Sequence, residues 1–155
     1  MTQNKFQMQG KVKVINGSIL TPENGGLRFV LNTNNLSGKV VGPLYTLFDK
    51  KWKKVREETK GWYANKTGAY KLGAVNTTAV QSDVWVIHML CQGADLLTDV
   101  PALTECLKKV AQSAKSEKAT VHISQLLVDE IPSLQDLVDK CLVKSGISVS
   151  YYKEV

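Results

Sequence analysis

The stretch that decides the fold is Phe29–Pro43, with the sequence FVLNTNNLSGKVVGP. A short apolar strand leads directly into asparagine and glycine residues, and from there into a long basic and aromatic helix. Such a turn places backbone N–H groups beside a helix N-terminus, where proteins often bind phosphate. A nucleotide-type anion is therefore the first ligand class that the sequence indicates, although an ordinary strand-to-helix turn has the same composition.

The composition is that of one globular domain. The chain has 155 residues, of which 43% are hydrophobic, enough for a single core. No apolar segment approaches the length of a membrane span, and Met1–Lys5 leads into no signal-peptide core. We therefore predict a cytoplasmic protein without membrane contact, of a size that suits a phage or bacterial accessory protein. The cysteines are widely spaced in apolar surroundings, which predicts reduced core residues and neither a metal site nor a cofactor: Cys91, Cys106 and Cys141.

Much of the net charge of +6 lies in one segment, residues 50–56, which also contains Trp52. Basic segments with interspersed aromatic residues can bind nucleic acid. Asp49, Glu57 and Glu58 flank this one, however, and a mixed charge run is typical of a solvated helix face. Nucleic acid is thus a disfavoured partner, whereas a small polyanion benefits from the same electrostatic field.

The hydrophobic pattern predicts the element order β, β, α, β, β, α, β, α, β. Apolar strands that alternate with amphipathic helices predict an α/β domain, specifically a three-layer α/β/α sandwich around a mostly parallel mixed sheet of about six strands. The predicted strands are 11–16, 27–31, 70–77, 84–91, 119–124 and 147–152. Residues 78–83 are predicted to connect the third strand to the fourth. The predicted helices are 43–60, ended by Gly61, then about 98–114, and one from a capping box at Ser133–Asp136 to Gly146.

Sheets of this kind bind ligands at the carboxyl ends of their strands. The loops after Asn32, Cys91 and Ser124 are therefore predicted to share one crevice. His88 lies inside the apolar strand and is predicted to be a hydrogen-bonded interior histidine rather than a catalytic base.

The strand Leu27–Asn32, with the asparagines and glycines that follow it, resembles the first ligand loop of macro domains. The segment Leu47–Trp52, LFDKKW, is similar to the corresponding part of the small terminal ADP-ribose glycohydrolases. The resemblance extends over about 11–152 and implies one macro-like domain over 1–155. It also implies binding of ADP-ribose or a related nucleotide, accompanied in some members by hydrolysis of an ADP-ribosyl bond.

The resemblance further implies a set of ligand-binding residues. Ser18 stands where macro domains carry an aspartate for the adenine amino group, and a neutral hydroxyl bonds it less strongly than a carboxylate does. The other implied residues are Ile19 in the adenine pocket, Asn34 and Asn35 at the distal ribose, Gly38 and Gly42 beside the diphosphate, and Tyr152 stacked on adenine.

The second ligand loop departs from the family. Macro domains have a glycine-rich turn there, whereas Ser124–Pro132, SQLLVDEIP, has no glycine. Side chains restrict the backbone and keep a phosphate at a distance, so weak or altered ligand binding is expected. The segment Leu126–Val128 is instead predicted to form an apolar lid or a contact for a protein partner.

Catalysis depends on the same loop. In the glycohydrolase subgroup, a lysine of the first helix acts with an aspartate of the second loop, and Lys51 is the best positional match for that lysine. Ile131 occupies the position of the acid, and the nearest carboxylates are Asp129 and Glu130. A proton-transfer group must come within hydrogen-bonding distance of its substrate, so these carboxylates can act only if the loop places them there.

The sequence therefore favours recognition of ADP-ribose or a related nucleotide diphosphate, with weak or no hydrolysis. Two alternatives stay open. One is an active ADP-ribosyl hydrolase that uses Lys51 and a loop carboxylate. The other is a degenerate macro fold that binds protein or nucleic acid through its basic helix.

Overall fold

Six strands form one sheet in the computed structural model, which describes residues 9–23, 25–65 and 69–154. The strands are β1 (Val12–Asn16), β2 (Arg28–Asn35), β3 (Val75–Gln81), β4 (Val84–Gln92), β5 (Thr120–Ser124) and β6 (Val149–Lys153). Their order across the sheet is β1–β6–β5–β2–β4–β3, and only the β3–β4 pair is antiparallel. The predicted six-stranded, mostly parallel sheet is thus confirmed. Met1–Lys5, for which we predicted no signal peptide, lies outside the described residues.

Helices cover both faces of the sheet, which confirms the three-layer arrangement. On one face the Tyr45 hydroxyl accepts from Asn32 and contacts Thr59 of the next helix, whereas Val110 lies beside Phe29 and Ile87 on the other. Alternate residues of a strand point to opposite faces, so Phe29 and Asn32 mark the two sides. The helices are α1 (Pro43–Phe48), α2 (Lys53–Ala64), α3 (Val100–Glu117), α4 (Gln125–Glu130) and α5 (Leu134–Cys141), followed by a short 3-10 helix at Val143–Ser145.

The single helix predicted over 43–60 is wrong, because the chain forms two helices there. α1 ends at Phe48, and Trp52 then precedes α2 with a non-helical backbone while its side chain is buried. Gly61 does not end α2, which continues to Ala64. The Asn65 side chain caps that end by donating to the Gly61 carbonyl at 3.0 Å.

The bounds of β2 and β3 differ most from the prediction. β3 begins at Val75 rather than at Tyr70 and continues to Gln81, into the predicted connection at 78–83, because Thr78 is buried and pairs with Val86 of β4. β2 continues to Asn35 rather than ending at Leu31. Its last asparagines are buried in the sheet, where their side chains find hydrogen-bond partners.

The segment 124–132, predicted to be a loop, is largely helical. α4 follows β5 directly, and the Ser124 hydroxyl caps it by accepting from the Leu126 N–H at 3.2 Å. The capping box predicted at Ser133–Asp136 is wrong as well. Ser133 has helical dihedral angles instead of the extended ones from which a capping side chain reaches the N–H groups of the first turn, and it makes no side-chain cap.

Cys91 and Cys106 are free and buried, as predicted, and Cys141 is free and half-buried. No helix in the described part of the chain is long and apolar enough to span a membrane. Nor do the described residues contain a group of metal-ligating side chains.

Candidate functional site at the carboxyl end of the sheet

A cavity of about 240 Å³ opens where β2, β4 and β5 end. Residues from all three of the segments that were predicted to share a crevice line it, which confirms that expectation. The lining consists of Asn32, Thr33, Asn35, Lys39, Val41, Gly42, Leu44, Tyr45, Gln92, Leu96, Leu127 and Glu130.

Asn35 holds the loop that follows β2. Its Oδ1 accepts from the backbone N–H of Ser37 at 3.1 Å and of Lys39 at 3.2 Å, and from the Ser37 hydroxyl at 2.6 Å. Its Nδ2 donates to the Lys39 carbonyl at 3.0 Å. The side chain implied to bind ribose is therefore fully engaged in shaping residues 35–39.

Glycine is required at two positions of this loop for different reasons. Gly38 has a φ of +74°, and a side chain there would collide with the ring of Tyr63. Gly42 has a φ of +113° and lines the cavity, where the nearest atom to an added Cβ would be Glu130 Oε2 at 3.9 Å. Gly38 thus packs the loop against α2, whereas Gly42 keeps backbone accessible at the cavity wall.

Arg56 of α2 binds the C-terminal part of the same loop, at Val40. It donates to the Val40 carbonyl at 3.1 Å and to both carboxylate oxygens of Asp49, the shortest bond being 2.8 Å. These bonds from Arg56 lower the pKa of the Asp49 carboxyl group. The guanidinium also lies 5.7 Å from the ring centre of Tyr45. The loop is therefore held at both ends before any ligand arrives.

Tyr45 is the centre of a buried hydrogen-bond network behind the cavity. Its hydroxyl lies 3.0 Å from Asn32 Nδ2, 2.8 Å from Asn34 Nδ2 and 3.2 Å from Thr59 Oγ1. Because amide nitrogens only donate, the phenol oxygen accepts two bonds and directs its own proton to Thr59. Burial raises the pKa of the Tyr45 phenol. Asn34 is 2% exposed, and its Oδ1 has no hydrogen-bond partner among the described residues.

His88 extends this network into the sheet. Its Nδ1 lies 3.1 Å from Asn32 Nδ2 and its Nε2 lies 2.8 Å from Thr78 Oγ1. Since the Asn32 amide donates, Nδ1 accepts and Nε2 carries the hydrogen that is donated to Thr78. Burial lowers the pKa of His88 to about 4, so the ring is neutral at physiological pH. The predicted interior role of His88 is confirmed.

Four lining side chains make no hydrogen bond to any described residue: Thr33, Lys39, Gln92 and Glu130. They offer a hydroxyl, an ammonium, an amide and a carboxylate to the cavity. Among them only Glu130 was singled out from the sequence. Gln92 directly follows the apolar run of β4, and that position at a strand end was the signal for it. Thr33 has the same signal, because it directly follows the predicted strand end at Asn32, whereas Lys39 has none.

Ser18 and Ile19 lie after β1, outside the cavity lining. The Ser18 hydroxyl accepts from the Leu20 N–H at 3.1 Å. The Ile19 side chain is buried, and its N–H donates to Glu154 Oε2 at 2.8 Å. The Ser18 hydroxyl therefore has a partner within the chain, and the Ile19 side chain is packed in the core.

Tyr152 is 1% exposed and also lies outside the lining. Its hydroxyl accepts from the Glu23 N–H at 2.8 Å and lies 2.8 Å from His122 Nδ1. The other ring nitrogen of His122 contacts Thr120 Oγ1 at 2.7 Å. Burial, reinforced by Arg28 and Lys13, lowers the pKa of His122 to about 4. In this structure the Tyr152 ring presents no open face to a ligand.

The three catalytic candidates do not meet in the cavity. Lys51 Nζ donates to the Leu20 carbonyl at 2.8 Å and is not part of the lining. Asp129 is exposed and accepts from the Gln125 side chain at 3.0 Å. Glu130 alone reaches the cavity.

The apolar segment Leu126–Val128 belongs to α4. Leu127 is buried and forms part of the cavity wall, and Val128 packs against the core. Leu126 is half-buried. α4 thus narrows the cavity on the side where macro domains have a glycine-rich turn, but it does not fill it.

No protein-family model matches the chain, and no curated protein sequence matches it either. Among solved structures, a protein from Bacteroides thetaiotaomicron is similar with a TM-score of 0.83 and 24% identity, over 92% of this chain and 99% of that one. A macrodomain protein from Streptomyces coelicolor has a TM-score of 0.81 and 22% identity, over 92% and 98%.

A more distant similarity includes a bound ligand. Thermosipho africanus DarTG, solved in complex with ADP-ribose, matches with a TM-score of 0.68 and 10% identity, over 92% of this chain and 41% of that one. The sequence identities are low, but the structural agreement covers nearly the whole chain. The chain therefore has the macrodomain fold.

Proposed function

We propose that the protein binds ADP-ribose or a related nucleotide diphosphate in the cavity at the carboxyl end of the sheet, with weak or no hydrolysis. The observation that carries this proposal is the preformed cavity, whose loop is held by internal bonds while Thr33, Lys39, Gln92 and Glu130 stay available. It lies where doubly wound sheets bind ligands. The similarity in fold to Thermosipho africanus DarTG, solved in complex with ADP-ribose, supports this ligand class.

The size of the cavity limits how the ligand is held. Pockets that enclose a drug-sized ligand have volumes of roughly 300–1,000 Å³. A cavity of about 240 Å³ encloses only part of a nucleotide diphosphate. One end of the ligand therefore enters the cavity, and the remainder lies along its open edge, which is consistent with modest affinity.

Titration calorimetry with ADP-ribose tests the proposal, with a thermal-shift panel of ADP-ribose, ADP and NAD beside it. Val41 lines the cavity and is 56% exposed, so Val41→Trp should fill the cavity without disturbing the core. Val14 is 62% exposed on β1, outside the lining, and Val14→Trp is the matched control. We expect saturable heat that Val41→Trp abolishes and Val14→Trp retains. Absence of heat at millimolar ADP-ribose, or equal binding by both variants, contradicts the proposal.

A second function, hydrolysis of an ADP-ribosyl bond, has one observation in its favour. Glu130 lines the cavity, where its carboxylate could act on a bound sugar. Release of ADP-ribose from a modified protein substrate should then be lost in Glu130→Gln. If Lys51 takes part, Lys51→Ala should lower the same rate, and an unchanged rate removes the lysine from the mechanism.

A further inference from the structure

β1 forms one end of the sheet and is paired on one side only. β6 lies along it in parallel, and within the described residues no strand lies along its other side. Apart from Ile15, every residue of β1 is exposed. Open strand edges are usually protected in natural proteins, since they can pair with another extended chain.

The backbone direction along β1 can be read from its bonds to β6. The Lys11 carbonyl accepts from Val149 at 2.8 Å, and the Gly17 N–H donates to Lys153 at 2.9 Å. In a parallel pair, alternate residues direct both backbone groups to the same neighbour. The odd-numbered residues therefore face β6, whereas Val12, Val14 and Asn16 direct their N–H and C=O groups outward. This open edge offers a ladder of the kind that binds an added strand.

The two faces beside the open edge differ sharply in chemistry. On one face Val12 and Val14 are 50% and 62% exposed. On the other face Lys11 and Lys13 border a hollow of about 170 Å³ whose remaining lining is Thr120, Ser148 and Ser150. All three of these residues carry hydroxyl groups, and the described lining includes no carboxylate. A strand added here meets apolar surface on one side and cationic, hydroxyl-bearing surface on the other.

We propose that the open edge of β1 is a docking site for an extended segment of a partner protein in which acidic and apolar residues alternate. Because side chains of a strand alternate between faces, such a segment places its carboxylates over Lys11 and Lys13 and its apolar side chains beside Val12 and Val14. Two copies of this chain joined edge to edge would instead place lysines against lysines, which is destabilising. Charge complementarity therefore favours an acidic partner strand over a second copy.

The probe for this proposal is a synthetic five-residue peptide of alternating glutamate and valine, with a lysine–valine peptide as control. Hydrogen exchange resolved by NMR measures the outward amides of Val12, Val14 and Asn16. We expect these amides to exchange quickly in the free protein and at least about 10-fold more slowly at saturating acidic peptide. Lys13→Glu should weaken binding about 5-fold, as expected for one opposed charge pair.

Val14→Pro separates strand addition from mere charge attraction. Proline removes an N–H that points away from β6, so the β1–β6 ladder is retained, and edge strands tolerate proline at such positions. Val14→Ala, which keeps the N–H, is the matched control. We expect loss of peptide binding in Val14→Pro and retention in Val14→Ala. If Val14→Pro does not fold, a peptide methylated at its backbone nitrogens tests the same ladder on the wild-type protein and should not bind.

Several outcomes overturn the proposal. They are equal binding of the acidic and basic peptides, protection that appears at the cavity rather than at β1, and binding that survives both Val14→Pro and backbone methylation. Outward amides that are already protected in the free monomer would show that the chain covers this edge itself. A dimer in sedimentation that Lys13→Glu does not alter would assign the edge to a second copy.

Discussion

Two sets of polar residues at the cavity, a buried set that we call the wall and an open set that we call the rim, differ in how far their hydrogen bonds are satisfied within the chain. The wall, formed by Asn32, Asn34, Tyr45, Thr59, Thr78 and His88, is a closed network in which nearly every donor has an acceptor. The rim, formed by Thr33, Lys39, Gln92 and Glu130, has side chains without described partners. The wall fixes the shape of the site, and the rim is left to contact the ligand.

This difference shows that polar residues near a cavity need not be its ligands. Buried polar groups contribute to stability only when their hydrogen bonds are satisfied, and they are costly when one partner is lost. Changes in the wall should therefore reduce stability, whereas changes in the rim should reduce affinity and leave stability nearly unchanged. The four predictions below test that separation, from the largest expected effect to the smallest.

Acidification should have the largest effect. The pKa of His88 and of His122 is about 4 in the folded protein, below the ordinary value of 6.5. The unfolded chain therefore binds more protons between these values, and the free energy of unfolding falls as the pH falls from about 6.5 to about 4. The expected loss is about 3 kcal/mol for each histidine, measured by urea unfolding across this range.

The control for acidification is His88→Gln, which removes one titrating group. The number of protons bound on unfolding, given by the slope of the free energy of unfolding against pH, should then be lower by about one than in the wild type. The contribution of the carboxyl groups is the same in both proteins and cancels in the comparison. An unchanged slope would show that His88 is not held neutral by the fold.

Tyr45→Phe should reduce stability more than any other single change in the wall. It leaves one amide hydrogen of Asn32 and the amide of Asn34 without their acceptor and Thr59 without its donor, so we expect a loss of about 3 kcal/mol. Tyr151→Phe is the control, because the Tyr151 hydroxyl makes no hydrogen bond to a described residue. It should change stability by less than about 0.5 kcal/mol. Equal losses in urea unfolding would contradict the importance of the network.

Asn35→Ala tests the loop, which connects the wall to the rim. Losing these four hydrogen bonds should lower stability by about 1–2 kcal/mol and displace Lys39, so that ADP-ribose affinity falls as well. Asn35→Asp keeps the accepting oxygen and should lose less of both. Calorimetry on the two variants makes the comparison, and full affinity in Asn35→Ala would show that the loop needs no such support.

Gln92→Leu should have the smallest effect on stability and a clear effect on binding. Its side chain lines the cavity without a described partner, so the free energy of unfolding should change by less than about 0.5 kcal/mol. Loss of one hydrogen bond to the ligand should weaken ADP-ribose binding about 10-fold. Gln81→Leu, at the exposed far end of β3, is the control and should bind normally. A stability loss as large as that of Tyr45→Phe would erase the distinction between wall and rim.

The fold could be predicted because apolar strands such as Val84–Cys91 alternate with amphipathic helices, and this pattern is local. The helix over 125–130 is not among the predicted elements, although the absence of glycine there removes phosphate contacts and also permits a helix. Ser124 followed by Leu127, a cap and a buried residue three positions later, was the helix signal.

The hydrogen-bond partners of the asparagines in β2 could not be predicted in the same way. Whether Asn32 contacts a ligand or His88 depends on pairing between strands that are far apart in sequence. Asn35 bonds locally to Ser37 and Lys39, which is a frequent property of asparagine in turns, and here that local pattern was the better guide to its role.

The contact between Gly38 and Tyr63 gives the loop an intrinsic optical signal. Tyr63 lies edge to face on Tyr70 at 5.3 Å, and Trp62 lies on the same ring at 4.8 Å between ring centres. The Tyr70 hydroxyl in turn donates to the Asn35 carbonyl at 2.6 Å. A shift of the loop that moves Tyr70 should therefore change the surroundings of the Trp62 indole, and we expect its fluorescence emission to report ligand entry in real time without an attached dye.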